Sequence, residues 1–193
     1  MILLESIESD FGDIEILKTR QNSSYIYKQG GCCQSEADAD GVSLSSYVHA
    51  MYGLLAQAVP RDVLMIGCGG GTLGTMLARI GVEVTIVDVN PQSFNIARQY
   101  FNLSPEIVCH VGDGRDFLLS NSHQYGAIIL DAYVGSVTPA HLLSRSFFRL
   151  ARARLDVNSG CLLANVHVLH DLDDMPDGVA EQMADAWQDV GLL

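Results

Sequence analysis

At 193 residues, 48% of them hydrophobic and 18% charged, the chain is long enough to bury a core and too apolar to be disordered. Its formal net charge of -12 argues against nucleic acid or an anionic membrane as partners; the acidity would attract a cation such as a polyamine, or serve solubility alone. The five cysteines, Cys32, Cys33, Cys68, Cys109 and Cys161, are odd in number and match no zinc or disulfide spacing, as expected of free thiols in a reducing cytoplasm.

The opening MILLESIESD has no basic region and meets an acid at its fifth residue, so it does not read as a signal peptide. Residues 2–7, 14–18 and 25–28 read as short strands separated by the turns SDFGD and RQNSS, a small antiparallel β appendage. Residues 30–44, GGCCQSEADADGVSL, read as a long polar connection. Its Gln34, Glu36, Asp38 and Asp40 either face a cationic group or form a solvated linker. These residues make one unit, 1–44, and the second runs from 45 to 193. Ser45 or Ser46 is placed to cap a helix reaching about Val59, with Tyr47, Val48, Met51, Leu54 and Leu55 at helical spacing. Tyr47 and His49 fall in its first turn. The charge-free run from Gly41 to Pro60 is too polar to span a membrane.

From Arg61 the pattern alternates. Strands are expected at 63–67, 82–88, 106–111, 127–132 and 161–168, and helices at 72–80, 91–101, 115–120, 139–155 and about 178–190. Asn90-Pro91 and Thr138-Pro139 are cap-then-proline helix starts. Nearly continuous apolar strands alternating with helices predict an α/β fold, a doubly wound parallel sheet covered on both faces. Ligands of such sheets bind at the carboxyl ends of the strands.

Those ends carry the chemistry. VLMIGCGGGTLG, Val63 to Gly74, is a strand, a glycine turn and a helix start, where backbone can approach a ligand closely and offer N–H groups. Asp88 closes the second strand, 21 residues after Gly67, at the distance of an acid that accepts from ribose hydroxyls. The third strand runs into GDGRDF, with Asp113 and Asp116, and the fourth ends at Asp131. Gly69, Gly71 and Gly74 fit G-x-G-x-x-G, so a nicotinamide dinucleotide is one ligand to consider. Acids after both the second and third strands suit a pyrophosphate poorly. They favour a compact adenosyl sulfonium, S-adenosylmethionine or its decarboxylated form. Separately, His167, His170, Asp171, Asp173 and Asp174 crowd the end of the last strand, as a divalent metal site or a polar loop. No metal is expected in the main site.

The stretches GCCQSEADADG, YVHAM, VLMIGCGGGTLG, VDVNP, GDGRDF and QYGAIILDAY resemble the spermidine synthase family of polyamine aminopropyltransferases, and more loosely the class I methyltransferases. The resemblance implies a Rossmann-like sheet of order 3-2-1-4-5, with the two further strands usual beyond the last helix expected to be missing from this sequence, and a homodimer. It implies that Gly67, Gly69 and Gly71 line a nucleoside pocket, with Asp88 and Val89 at the ribose and Asp113 and Gly114 at the adenine. Asp131 falls at the family's catalytic aspartate, Gln34 at a substrate-pocket glutamine, and Tyr47 and His49 near its Tyr-His-Glu segment. Tyr133 is placed to wall the substrate pocket.

The chain departs from that pattern. Its glycine loop lacks the usual Asp, and Val134 and Gly135 replace a second acid and a Pro after Asp131. Ala50 follows His49 where the family has Glu. The implied activity is transfer of an aminopropyl group to an amine. Methyl transfer, or adenosyl binding without catalysis, are the alternatives.

Overall fold

The computed structural model describes residues 1–168 and 173–188. Two sheets organise them. The first is antiparallel, β1 (Ile2–Ile7), β2 (Ile14–Lys18), β3 (Tyr25–Gln29) and β4 (Cys32–Ala37), in sequential order. Strand β4 corrects the expected polar connection. Gly30 and Gly31, at φ 57° and 78°, make a two-residue hairpin turn that pairs Gln29 with Cys32. The acids of this segment had masked it. Glu36 accepts a hydrogen bond from the Ser24 hydroxyl at 3.1 Å, and Asp38 Oδ1 accepts from the backbone of Asp40 and Val42, so neither faces a ligand.

After α1 (Ser46–Ala58) comes the parallel sheet: β5 (Asp62–Ile66), β6 (Glu83–Asp88), β7 (Val108–Val111), β8 (Ala127–Leu130) and β9 (Cys161–Ala164). Its spatial order is β7-β6-β5-β8-β9, every neighbouring pair parallel. Counted within the sheet this is 3-2-1-4-5, as expected. All five residues of central β5 are buried, which explains the unbroken apolar run from Val63 to Ile66.

Helices α1, α2 (Thr72–Ala78) and α3 (Pro91–Tyr100) pack on one face, through Leu55, Leu77 and Phe94. Helices α4 (Gly114–Ser120), α5 (Arg145–Ala153) and α6 (Met175–Gln188) cover the other, through Leu118, Phe147 and Val179. No described helix is long and apolar enough to cross a membrane. Asn90 accepts from Gln92 N at 3.0 Å and caps α3 as its Asn-Pro start predicts. The Thr138-Pro139 start behaves differently: residues 140–142 form only a 3-10 turn, because Ser144 caps α5 by accepting from Phe147 N. The last strand ends at Ala164 rather than 168, and the final helix starts at Met175 rather than 178. Of the proposed metal cluster, His170 and Asp171 lie outside the described residues, as does the chain after Gln188.

The antiparallel sheet packs on the end of α3. Ile14, Ile16 and Tyr27 form a small core with Ile96 and Phe101, and the Tyr100 hydroxyl donates to Glu5 at 2.7 Å. This contact turns β4 toward the carboxyl ends of the parallel strands.

The tightest backbone approach lies at Gly67. Its φ is 101°, and a Cβ there would stand 2.1 Å from the Asp131 carbonyl oxygen. Gly67→Ala is therefore expected to cost about 2–5 kcal/mol, from left-handed strain plus backbone overlap. Urea unfolding of the two proteins measures the difference.

Candidate active site

A cleft of about 800 Å³ opens at the carboxyl ends of the parallel strands, roofed by β4 and the start of α1. That volume lies within the range of small-molecule sites. Gly67, Gly69, Asp88, Val89, Asp113, Gly114, Gln34, Tyr47, Asp131 and Tyr133 all line it. Gly71 and His49 do not. Gly71, at φ 65°, begins α2, and a Cβ there would meet Leu103 at 2.5 Å, so this glycine serves internal packing. His49 Nε2 lies 2.6 Å from the Ser43 carbonyl oxygen, turned away into its own helix entrance.

The glycine loop is held from two sides. The Ser35 hydroxyl of β4 accepts from Gly70 N at 2.8 Å, and Asp88 Oδ2 accepts from Cys68 N at 2.7 Å. Asp88 Oδ1 accepts from Asn90 N at 2.8 Å. One carboxylate thus ties the loop, the end of β6 and the start of α3 together. Burial raises its pKa, and the hydrogen bonds from Asn90, Cys68 and Ser93 oppose that rise.

Asp113 sits after β7. Its Oδ1 caps α4 by accepting from Arg115 N and Asp116 N, and its Oδ2 lies 2.8 Å from His141 Nε2. Desolvation pushes its pKa up, but the His141 hydrogen bond and the backbone N–H groups outweigh it and hold the carboxyl below its usual range. His141, with Pro139 and Leu142, walls this end of the cleft. His141 and Leu142 were not singled out in the sequence, and Pro139 only as a helix start.

Asp131 follows β8, whose ladder continues through Asp131 N to the Ile66 carbonyl at 2.9 Å. Its Oδ1 accepts from Asn165 Nδ2 at 2.9 Å, and its Oδ2 from the Tyr47 hydroxyl at 3.4 Å. Desolvation raises the Asp131 pKa, opposed by the two donors. Burial and then the nearby Asp131 charge also raise the phenol of Tyr47, and they push Tyr133 up to about 12. Asn165 is the residue that the sequence reading missed here. Expecting the strand to run to 168 hid the turn at its end. Gln34 donates to the Gly135 carbonyl at 3.0 Å, strapping the loop after β8 to β4.

The chemistry this permits is specific. Three carboxylates, all immobilised, stand along one cleft beside an open glycine loop. The two at the ends of β6 and β7 suit the polar edges of a nucleoside. The third, desolvated and carrying donors on both oxygens, can accept a proton at the other end.

Residues 63–154 match the family described as methyltransferase domain. The polyamine aminopropyltransferase of Vibrio vulnificus is 33% identical over 141 residues, covering 69% of this chain and 47% of its own length. That of Neisseria meningitidis is 31% identical over 171 residues, covering 84% of this chain and 64% of its own. A spermidine synthase solved in complex with the transition state analogue AdoDATO superposes with a TM-score of 0.78 at 18% identity, over 96% of this chain and 65% of that one. The fold, with the domain match over residues 63–154, is class I methyltransferase-like. Within that class, the chain is homologous to the polyamine aminopropyltransferases, as its motifs imply. It spans about half the length of the Vibrio relative and about two thirds of the other two.

A carboxyl whose pKa is raised on folding binds its proton more tightly folded than unfolded. It therefore subtracts stability above its unfolded value of about 4 and subtracts none well below it. Asp131→Asn is expected to raise Tm at pH 7, with the gain vanishing as pH falls below about 4. Thermal denaturation across that range checks it.

Proposed function

We propose that the chain is a transferase that moves an aminopropyl group from decarboxylated S-adenosylmethionine to an amine. The observation that carries this is Asp131. It is desolvated, it is held by Tyr47 and Asn165, and it lines the same cleft as the two acids suited to a nucleoside. In this reading Gly67 and Gly69 let the donor lie against the backbone, and Asp88 and Val89 take the ribose. Asp113 and Gly114 take the adenine, flanked by Pro139 and Leu142. Tyr47, Tyr133 and Gln34 shape the acceptor end.

The sulfonium is already a good leaving group, so the protein's task is chiefly positioning. The acceptor arrives as an ammonium and gives a proton to Asp131. Its nitrogen lone pair then attacks the methylene beside sulfur. The new C–N bond forms as the C–S bond breaks, and the bonding pair returns to sulfur, leaving a neutral thioether. A raised carboxyl pKa favours that proton acceptance.

The match to a methyltransferase domain favours a second reading, in which S-adenosylmethionine is the donor and Asp131 orients the acceptor. Five unpaired thiols support a reducing compartment, and we propose the cytoplasm. We also propose a homodimer. The outer edge of β9 and the exposed Ile2, Leu3 and Leu4 of β1 are strand surfaces that a second copy would cover. Sedimentation of the full chain should return twice the 20.9 kDa of one copy.

With decarboxylated donor and an amine, mass spectrometry should detect methylthioadenosine and the aminopropylated amine. S-adenosylhomocysteine from S-adenosylmethionine would instead support methyl transfer. Donor binding with no turnover on either would favour a non-catalytic role. Asp131→Asn should lower kcat by about 10²–10⁴-fold while donor affinity in calorimetry stays within a few-fold.

A further inference from the structure

We infer that the acceptor end of this cleft takes a primary amine with one positive charge on an apolar tail, an alkylamine or arylalkylamine, in preference to a diamine or polyamine. The inference rests on the transfer function proposed above and narrows its substrate class.

Charge comes first. Among the described residues that line the cleft the acids are Asp88, Asp113 and Asp131. Asp88 and Asp113 are fixed by backbone donors at the nucleoside end. Among the described residues that leaves Asp131 to pair with an ammonium at the acceptor end. A second ammonium would need its own anion, or a cluster of carbonyl oxygens. Three of the carbonyls beyond Asp131 already have partners. Gly135 O accepts from Gln34 at 3.0 Å, Asn165 O accepts from the Tyr133 hydroxyl at 2.9 Å, and Ser136 O lies 3.4 Å from His167 Nδ1. A second charge entering here would meet no second carboxylate among the described lining residues to offset whatever hydration it gives up.

The walls point the same way. Val134 and Val168, 48% and 49% exposed, line the cleft with half-buried Ala132 and Val166. Large apolar side chains left open to solvent at a cleft gain from a tail laid over them. Val134 is fixed for this by its reciprocal backbone bonds with Val137, at 2.9 and 3.3 Å. Each methylene of tail covered there is worth about three- to fourfold in binding.

The test uses the full chain with decarboxylated S-adenosylmethionine, and follows methylthioadenosine release with butylamine, hexylamine and phenethylamine against 1,4-diaminobutane and 1,6-diaminohexane. Hexylamine should exceed 1,6-diaminohexane in kcat/KM by tenfold or more, and butylamine by about tenfold. Val134→Asp, on an exposed hairpin where folding is checked by circular dichroism, should shift the preference tenfold or more toward the diamine. Calorimetry in the presence of methylthioadenosine reads amine binding apart from turnover. Hexylamine binding tighter than 1,6-diaminohexane with no turnover would leave the inference standing and overturn the transfer function. A diamine that binds or reacts as well as its matched monoamine, or the absence of binding by any amine, overturns the inference.

Discussion

The architecture turns on the contact between the ends of β5 and β8. Gly67 has no side chain, and the backbone of Asp131 and Ala132 occupies the place where one would be. Two strand ends that a Cβ would hold apart therefore lie side by side. The polypeptide leaving β5 becomes the glycine loop, and that leaving β8 presents Asp131. In the function proposed above, a nucleoside berth and a proton acceptor thereby become neighbours through one missing methyl group. The loop glycines are usually credited to ligand approach. Here several of them first make room for protein: Gly67 for Asp131, Gly69 for Ser35 and Gly71 for Leu103, as Gly114 at the start of α4 does for Ile66.

The three cleft acids share a type and differ in surroundings. Asp88 and Asp131 are raised by burial, whereas Asp113, facing His141 and the start of α4, is held down. Asp113 owes its shift to the imidazole and helix start that face it, and Asp88 and Asp131 owe theirs to desolvation that their donors only partly offset. The net charge of -12 sets no such distinction. Local donors and desolvation do.

Much of this was legible in the residues. Alternating apolar strands and capped helices gave the parallel sheet, since both signals are local. Acids at the ends of three strands marked the cleft, because the topology converts strand ends into neighbours. What escaped depended on contacts distant in the chain. Strand β4 is polar and acidic, and only its pairing with β3 makes it a strand, although Gly30-Gly31 was a usable turn signal. Asn165 and His141 look like ordinary loop residues until β9 sets one beside Asp131 and the turn after Pro139 sets the other beside Asp113. His49 and Gly71 misled for the opposite reason. Both are close in sequence to cleft residues, but the local backbone turns them elsewhere.

The strap from Gln34 to Gly135 has a consequence for biosynthesis. Its two ends are separated by 101 positions, and the Tyr47–Asp131 bond by 84. As the ribosome delivers the chain, the first sheet and the glycine loop emerge long before the partners that close the chamber around them. Until Asn165 has left the exit tunnel, Asp131 lacks one of its two donors. The chamber is thus a late product of translation, closed only when the loop after β8 reaches the first sheet and Asn165 reaches Asp131.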